Sequence, residues 1–240
     1  MGRAPHLIRP SVTAPDSPAR RMSLDTPAPG VIVEAAVDSY HDALRAQAAG
    51  VQRIELCGPL HDGGTTPSAG LIARCLDDLI PSVNVLVRPR AGTFVYTSEE
   101  LDIMKRDIAV ARELGVDGFA IGALTPDGDV DAGHLAELIA VATPLRVVFH
   151  RAFDRVRDQD DALELLVSLQ VNGVLTSGGA PTAEAGIPRL RHLVERADHR
   201  IRVIAAGSIP GGNARRIVHE THVSAVHGRA FGGIVAALTA

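Results

Sequence analysis

At 240 residues, with 46% hydrophobic and 22% charged residues, the chain has room for one large domain or two small ones and the make-up of a globular protein. Its net charge of -4 argues against electrostatic capture of nucleic acid or an anionic membrane. Its 3% aromatic content, without Trp, leaves no stacking platform for single strands. No apolar run approaches the ~20 residues of a membrane span, and the two cysteines, Cys57 and Cys75, form no disulfide framework or CxxC pair, which suits a reducing cytosol.

Residues 1–29 hold six of the fifteen prolines and lack apolar periodicity and a secretory apolar core. They are expected to be a disordered tail ahead of a domain over 30–240, with Met22 as a later start. From Val31 onward a strand–helix unit repeats. The strands are expected at 31–36, 52–57, 83–88, 117–121, 145–150, 173–176, 201–206 and 223–227. The clearest helix covers 98–114: Leu101, Met104, Ile108 and Ala111 keep one face, Thr97 and Glu100 form a capping box, and Gly115 ends it. Another is expected to open at "TTPSAG", with Thr66 as cap and Pro67 at the first helical position.

Eight such units suit a closed (β/α)₈ barrel or a doubly wound open sheet. The first strand runs into "AVDSYHDAL" rather than G-x-G-x-x-G, so a dinucleotide fold is weakly supported. Alternation favours the barrel. Ile54 and Leu56 oppose Arg53, Glu55 and Cys57. Val83, Val85 and Val87 oppose Asn84, Leu86 and Arg88. Val147 and Phe149 oppose Arg146, Val148 and His150. A doubly wound sheet is apolar on both faces, whereas a barrel can turn one polar side inward at its C-terminal mouth.

That placement answers why "RVVFHRAFD" ends a buried strand with His150, Arg151 and Asp154. Glu34, Glu55, Arg88, His150 and Asp154 are the candidate catalytic residues. His150 is expected to titrate near neutrality beside Glu34 or Glu55. Arg88, Arg90 and Arg151 could clamp a carboxylate or phosphate. The competing reading makes Glu34 or Glu55 a structural ion-pair partner of Arg88. Glycine-rich turns follow strands six to eight, in "LTSGGAP", "AAGSIPGGN" and "HGRAF". Ser177, Gly178, Gly179 and Gly207 could present backbone N–H groups to an anion there. Cys57 points inward by alternation and could be a soft metal ligand or simply a small buried hydrophobe. Cys75 lies about 10 Å lower, one helix along, and is not expected to share the site.

The segments "RIELCG", "GGTTPSAGLI", "VRPRAGTFVYTSEELDIMKRDI", "GALTPDGDVD", "FHRAFD" and "LTSGGAP" resemble the CutC family, named for copper homeostasis, from about Val33 to His227. The resemblance implies a cytosolic (β/α)₈ barrel that assembles as a homo-oligomer, and copper(I) binding through cysteine, here Cys57. The family often reads E-V-C-V-D on strand one. This chain reads "EAAVD", with Ala36 at the cysteine position. Glu34, Glu55, Arg88, Arg90, His150, Arg151 and Asp154 all match. The alternative to copper handling is a lyase- or isomerase-type barrel enzyme acting on a small anionic substrate, phosphorylated ones included. Neither a nucleic-acid nor a membrane partner is expected.

Overall fold

A computed structural model describes residues 30–240; the Pro-rich tail expected over 1–29 lies outside the described residues. The order is β1 (Ile32–Val37), α1 (Tyr40–Ala48), β2 (Arg53–Leu56), α2 (Ala69–Asp78), β3 (Ser82–Leu86), α3 (Ser98–Leu114), β4 (Gly118–Ile121), α4 (Ala132–Ala142), β5 (Arg146–Phe149), α5 (Gln159–Ser168), β6 (Gly173–Thr176), α6 (Ile187–Ala197), β7 (Arg202–Ala206), α7 (Gly211–Thr221), β8 (Ala225–Gly228) and α8 (Phe231–Thr239). Each strand pairs in parallel with the next, and β8 pairs with β1, so the sheet is a closed (β/α)₈ barrel. Among the described residues, no helix is long and apolar enough to cross a membrane.

The outward strand side supplies the main core. Ile54, Leu56, Val83, Val85, Val147 and Phe149 meet helix residues such as Leu101, Met104, Leu135 and Leu163. α3 has the expected capping box, with Gly115 closing it in the left-handed conformation. The start of α2 differs from expectation. Ser68 is the cap and Ala69 the first helical residue. Thr66 instead pairs through its amide and hydroxyl with the backbone of Arg88, because the chain must first cross the barrel mouth.

The inward side is layered, as the strand registers and tilt require. Odd strands supply Glu34, Asn84, Val148 and Ile204, and even strands the layer above, Glu55, Ala120, Leu175 and His227. The next contains Ala36, Leu86, His150 and Ala206. One half of the interior is apolar, with Val148, Leu175, Ile204, Ala206 and Ala225 packed together. Most of the charged interior residues lie on the side of β1–β3 and β8, and Arg146 of β5 reaches across to them.

Candidate active site at the C-terminal mouth

Glu34 is the centre of a buried polar network. Its Oε1 lies 2.7 Å from His227 Nδ1, and its Oε2 accepts from Arg53 Nη1 and Asn84 Nδ2, each at 3.3 Å. Arg146 continues the network by donating to Asn84 Oδ1 at 2.9 Å and Ser82 Oγ at 3.0 Å. Burial alone would raise the Glu34 pKa. The His227 hydrogen bond and the charges of Arg53, His227 and Arg146 outweigh it and bring the carboxyl down to about 2. His227 moves the other way. Burial disfavours its charge, but Glu55 and the bonded Glu34 raise its pKa above the ordinary value. The pair is thus a carboxylate hydrogen-bonded to an imidazole whose charged form it favours.

Above this floor lies a cavity of about 470 Å³. Glu55, Cys57, Arg88, His150, Arg151 and His227 all line it, along with Ala36, Gly207 and Arg229. Three of these carry buried side-chain atoms with no partner among the described residues: Glu55 Oε2, Arg88 Nε and His150 Nε2. Burial, with Glu34 nearby, raises the Glu55 pKa despite the opposing charge of His227. Ion pairs from Glu34 or Glu55 to Arg88 do not form. Arg88 instead donates to the carbonyls of Asp62, Gly64 and Gly92, stapling the loops after β2 and β3.

His150 departs from its expected role. Its ring is buried and tilted against Phe94 and Phe149, at centroid distances of 5.0 and 6.0 Å. Its Nδ1 accepts from Ala152 N–H at 3.2 Å, and it makes no hydrogen bond with Glu34 or Glu55. Burial, then Arg88, lowers its pKa to about 3, so it is neutral near pH 7. The histidine that meets a carboxylate in the barrel interior is His227. Alternation in "VSAVH" places Val223, Ala225 and His227 on one side of the last strand, and this was the signal available for it.

The remaining candidates divide between the cavity and the scaffold. Arg151 reaches the rim while donating to Asp154 at 2.8 Å and Ser177 Oγ at 3.2 Å. Gly207 lines the wall. Arg90 does not reach the mouth, because Glu100 and the carbonyls of Ala91, Thr93 and Val95 hold it. Asp154 is not in the cavity either. It accepts from Thr176 Oγ1, the Ser177 and Gly179 amides and Ser177 Oγ, while the Gly178 amide bonds Thr176 Oγ1. The amides of Ser177, Gly178 and Gly179, expected to meet a ligand anion, are therefore satisfied from within. Free helix ends lie elsewhere on the rim. Pro210 and Ala230 line the cavity and precede α7 and α8, and neither helix has a side-chain cap.

Copper(I) favours soft sulfur ligands, and the cavity supplies a single thiol. Cys57 is buried and donates to Glu55 Oε1 at 3.5 Å. Burial, then Glu55, raises its pKa well above the ordinary value, against thiolate formation. Ala36 presents a methyl where a second sulfur could sit, and Cys75 is packed in the outer core. These residues do not fit a two-thiolate site. Glu34, Glu55 and His227 offer ligand atoms within 4.8 Å of one another. However, Arg53 bonds Glu34 directly and Arg146 stands behind Asn84. A dication there would face buried positive charge.

The fold and the mouth define a (β/α)₈ barrel with an ionisable, small-molecule-sized cavity at its C-terminal end. The CutC family model matches residues 31–232, and the chain belongs to that family. It is 42% identical over 198 residues to the human copper homeostasis protein cutC homolog, covering 82% of this chain and 72% of the relative. It is also 42% identical over 195 residues to the family protein CutC of Bacteroides thetaiotaomicron, covering 81% and 78%. The CutC structure from Streptococcus agalactiae superposes with a TM-score of 0.81 at 35% identity, covering 84% of this chain and 99% of that one.

Proposed function

We propose that this CutC-family barrel binds a small anionic molecule at its mouth and moves protons on it, as a lyase or isomerase does. The observation that carries this reading is the placement of Glu55 and His227 in one interior layer facing one cavity, with Glu34 fixing the His227 ring from below. Burial raises the Glu55 carboxyl above its usual range, and Glu55 and Glu34 raise His227 above its own, so the cavity holds a carboxyl with increased affinity for a proton beside an imidazole whose charged form is favoured, the two groups an acid–base pair requires. Glu55 would take a proton from the substrate and His227 give one back. Transfer between the two then resets the site. Arg151 and Arg229 at the rim, with the uncapped starts of α7 and α8, favour an anion. Glu34 is a positioning residue, and Asp154 holds the Arg151 side chain while shaping the loop after β6.

The test is a thermal-shift screen of small carboxylates and phosphate monoesters, with copper(I) under reducing conditions as one member. Binding raises the melting temperature by mass action. The expected result is stabilisation by a small anion that Arg151→Ala and Arg229→Ala weaken. Stabilisation by copper(I) with no response to any anion would reverse the reading.

Copper(I) binding in a reducing cytosol, the role the family name suggests, is the second reading. Its support is the position of Cys57 on the cavity wall. Competition with a copper(I) chelator is expected to show weak binding that Cys57→Ala abolishes. Ala36→Cys, which adds a second sulfur on the neighbouring strand, is expected to tighten it by an order of magnitude or more. Tight parental binding that survives Cys57→Ala would place any copper elsewhere. The homo-oligomer implied by the family is checked by light scattering.

A further inference from the structure

Two residues that line the cavity, Arg88 and His150, each carry a buried N–H group with no acceptor among the described residues. The terminal nitrogens of Arg88 donate to the carbonyls of Asp62, Gly64 and Gly92, whereas its Nε–H makes no such bond; the buried Tyr96 hydroxyl beside the guanidinium is also without a partner among the described residues. His150 Nδ1 accepts from the Ala152 amide, so the proton of the neutral ring sits on Nε2, also without an acceptor. The two residues are only 6% and 5% exposed. Both lie against Phe94, with Arg88 Cζ 4.9 Å and the His150 ring 5.0 Å from that ring's centroid. The backbone protects the arrangement. A Cβ on Gly122, beside His150, would come within 2.6 Å of His150 Cε1. A buried donor left unmade costs about 1–3 kcal/mol. Two rigid ones lining one cavity therefore mark a place for an acceptor.

We propose that Arg88 Nε–H and His150 Nε2–H together hold one planar oxygen group of the ligand, the carboxylate or ketone of a small oxo or hydroxy acid. This deepens the reading that the mouth takes a small anion. A pair of fixed N–H donors suits a flat carbonyl or carboxylate. A tetrahedral phosphate, with three oxygens to satisfy, is better served by the rim arginines and free helix ends. An uncharged imidazole also donates without giving up its proton, as a group stabilising charge on a carbonyl oxygen should.

The experiment uses the full chain, with ring-¹⁵N histidine observed by long-range NMR correlation. His150 is expected as the Nε2–H tautomer between about pH 5 and pH 8. Pyruvate is expected to shift its Nε2 signal, and Arg88→Lys, which keeps the charge but removes Nε–H, to weaken pyruvate binding about tenfold. Should Arg88→Lys fail to fold, the tautomer and the pyruvate response of the parent still decide. The proposal falls if His150 carries its proton on Nδ1 or is charged in that range. It also falls if pyruvate, acetate and oxamate at high millimolar concentration leave Nε2 unmoved, or if a folded Arg88→Lys binds pyruvate as the parent does. Inorganic phosphate that shifts His227 alone would keep the small-anion reading and remove the donor pair. No response of either ring to any anion would remove both.

Discussion

A neutral histidine in a protein interior has a measurable consequence. The unfolded chain binds a proton at His150 below about pH 6.5, whereas the folded one resists until about 3, because burial and then Arg88 disfavour the charge. Between those values the unfolded state holds more protons, so stability falls as pH drops. The loss reaches roughly 5 kcal/mol for this group alone. Glu34 adds a loss of the same sign only between about 4.5 and about 2, and Glu55, with its raised pKa, acts in the opposite sense above 4.5. His150→Gln should remove the decline from 6.5 to 4.5 while leaving the steeper fall below it. Denaturant midpoints of the two proteins across that range decide the matter. Parallel curves would mean that His150 is charged in the folded state or open to solvent.

At the scale of an element, two short segments owe their shape to a single side chain each. Asp154 gathers the loop after β6 by accepting from Thr176, Ser177 and Gly179 at once. Asp154→Ala leaves those donors without their acceptor and should cost about 3 kcal/mol. Hydrogen exchange should rise at the Ser177 and Gly179 amides first. Unchanged protection there would show that the loop holds itself. Thr97 caps α3, and its partner Glu100 also binds Arg90, so the cap ties the loop after β3 to the helix that follows. Thr97→Ala should cost about 1 kcal/mol, read from the unfolding midpoint.

Across the whole molecule, the interior network joins strands that local sequence cannot relate. Glu34 on β1 contacts Arg53 on β2, Asn84 on β3 and His227 on β8, and Arg146 on β5 reaches the same cluster. The His227 bond spans 193 residues, so the cluster forms only when the barrel closes. Glu34→Gln would keep the shape but remove the carboxylate that Arg53 and His227 both contact, a loss of about 3–5 kcal/mol for a broken buried pair. Urea unfolding of that variant, followed by circular dichroism, should give a lower midpoint and a single transition. An unchanged midpoint would mean that the network contributes specificity rather than stability. α7 and α8 meet where Gly211 faces Gly233, and a Cβ at Gly211 would lie 2.4 Å from the Gly233 carbonyl oxygen. Gly211→Ala should therefore force these two helices apart and cost about 2 kcal/mol in the same assay.

The strand–helix period, the inward phase of Glu34, Glu55, Cys57, Arg88 and His150, and the capping of α3 were legible in the sequence, because each depends on residues a few positions apart. What lay beyond it were the partners. Alternation brings His150 and His227 to the same interior, but only the closed barrel sets His227 against Glu34 and packs His150 against Phe94. The sequence could put Asp154 and the "TSGG" turn near one mouth, but not show that the carboxylate fills the turn's amides. Nor could it show that Thr66 would pair with Arg88 rather than cap α2. Periodicity fixes which way a side chain points. Whether a charge there meets a counter-charge, a carbonyl or an empty cavity is decided by chain segments far away in sequence, and the same contacts set its protonation.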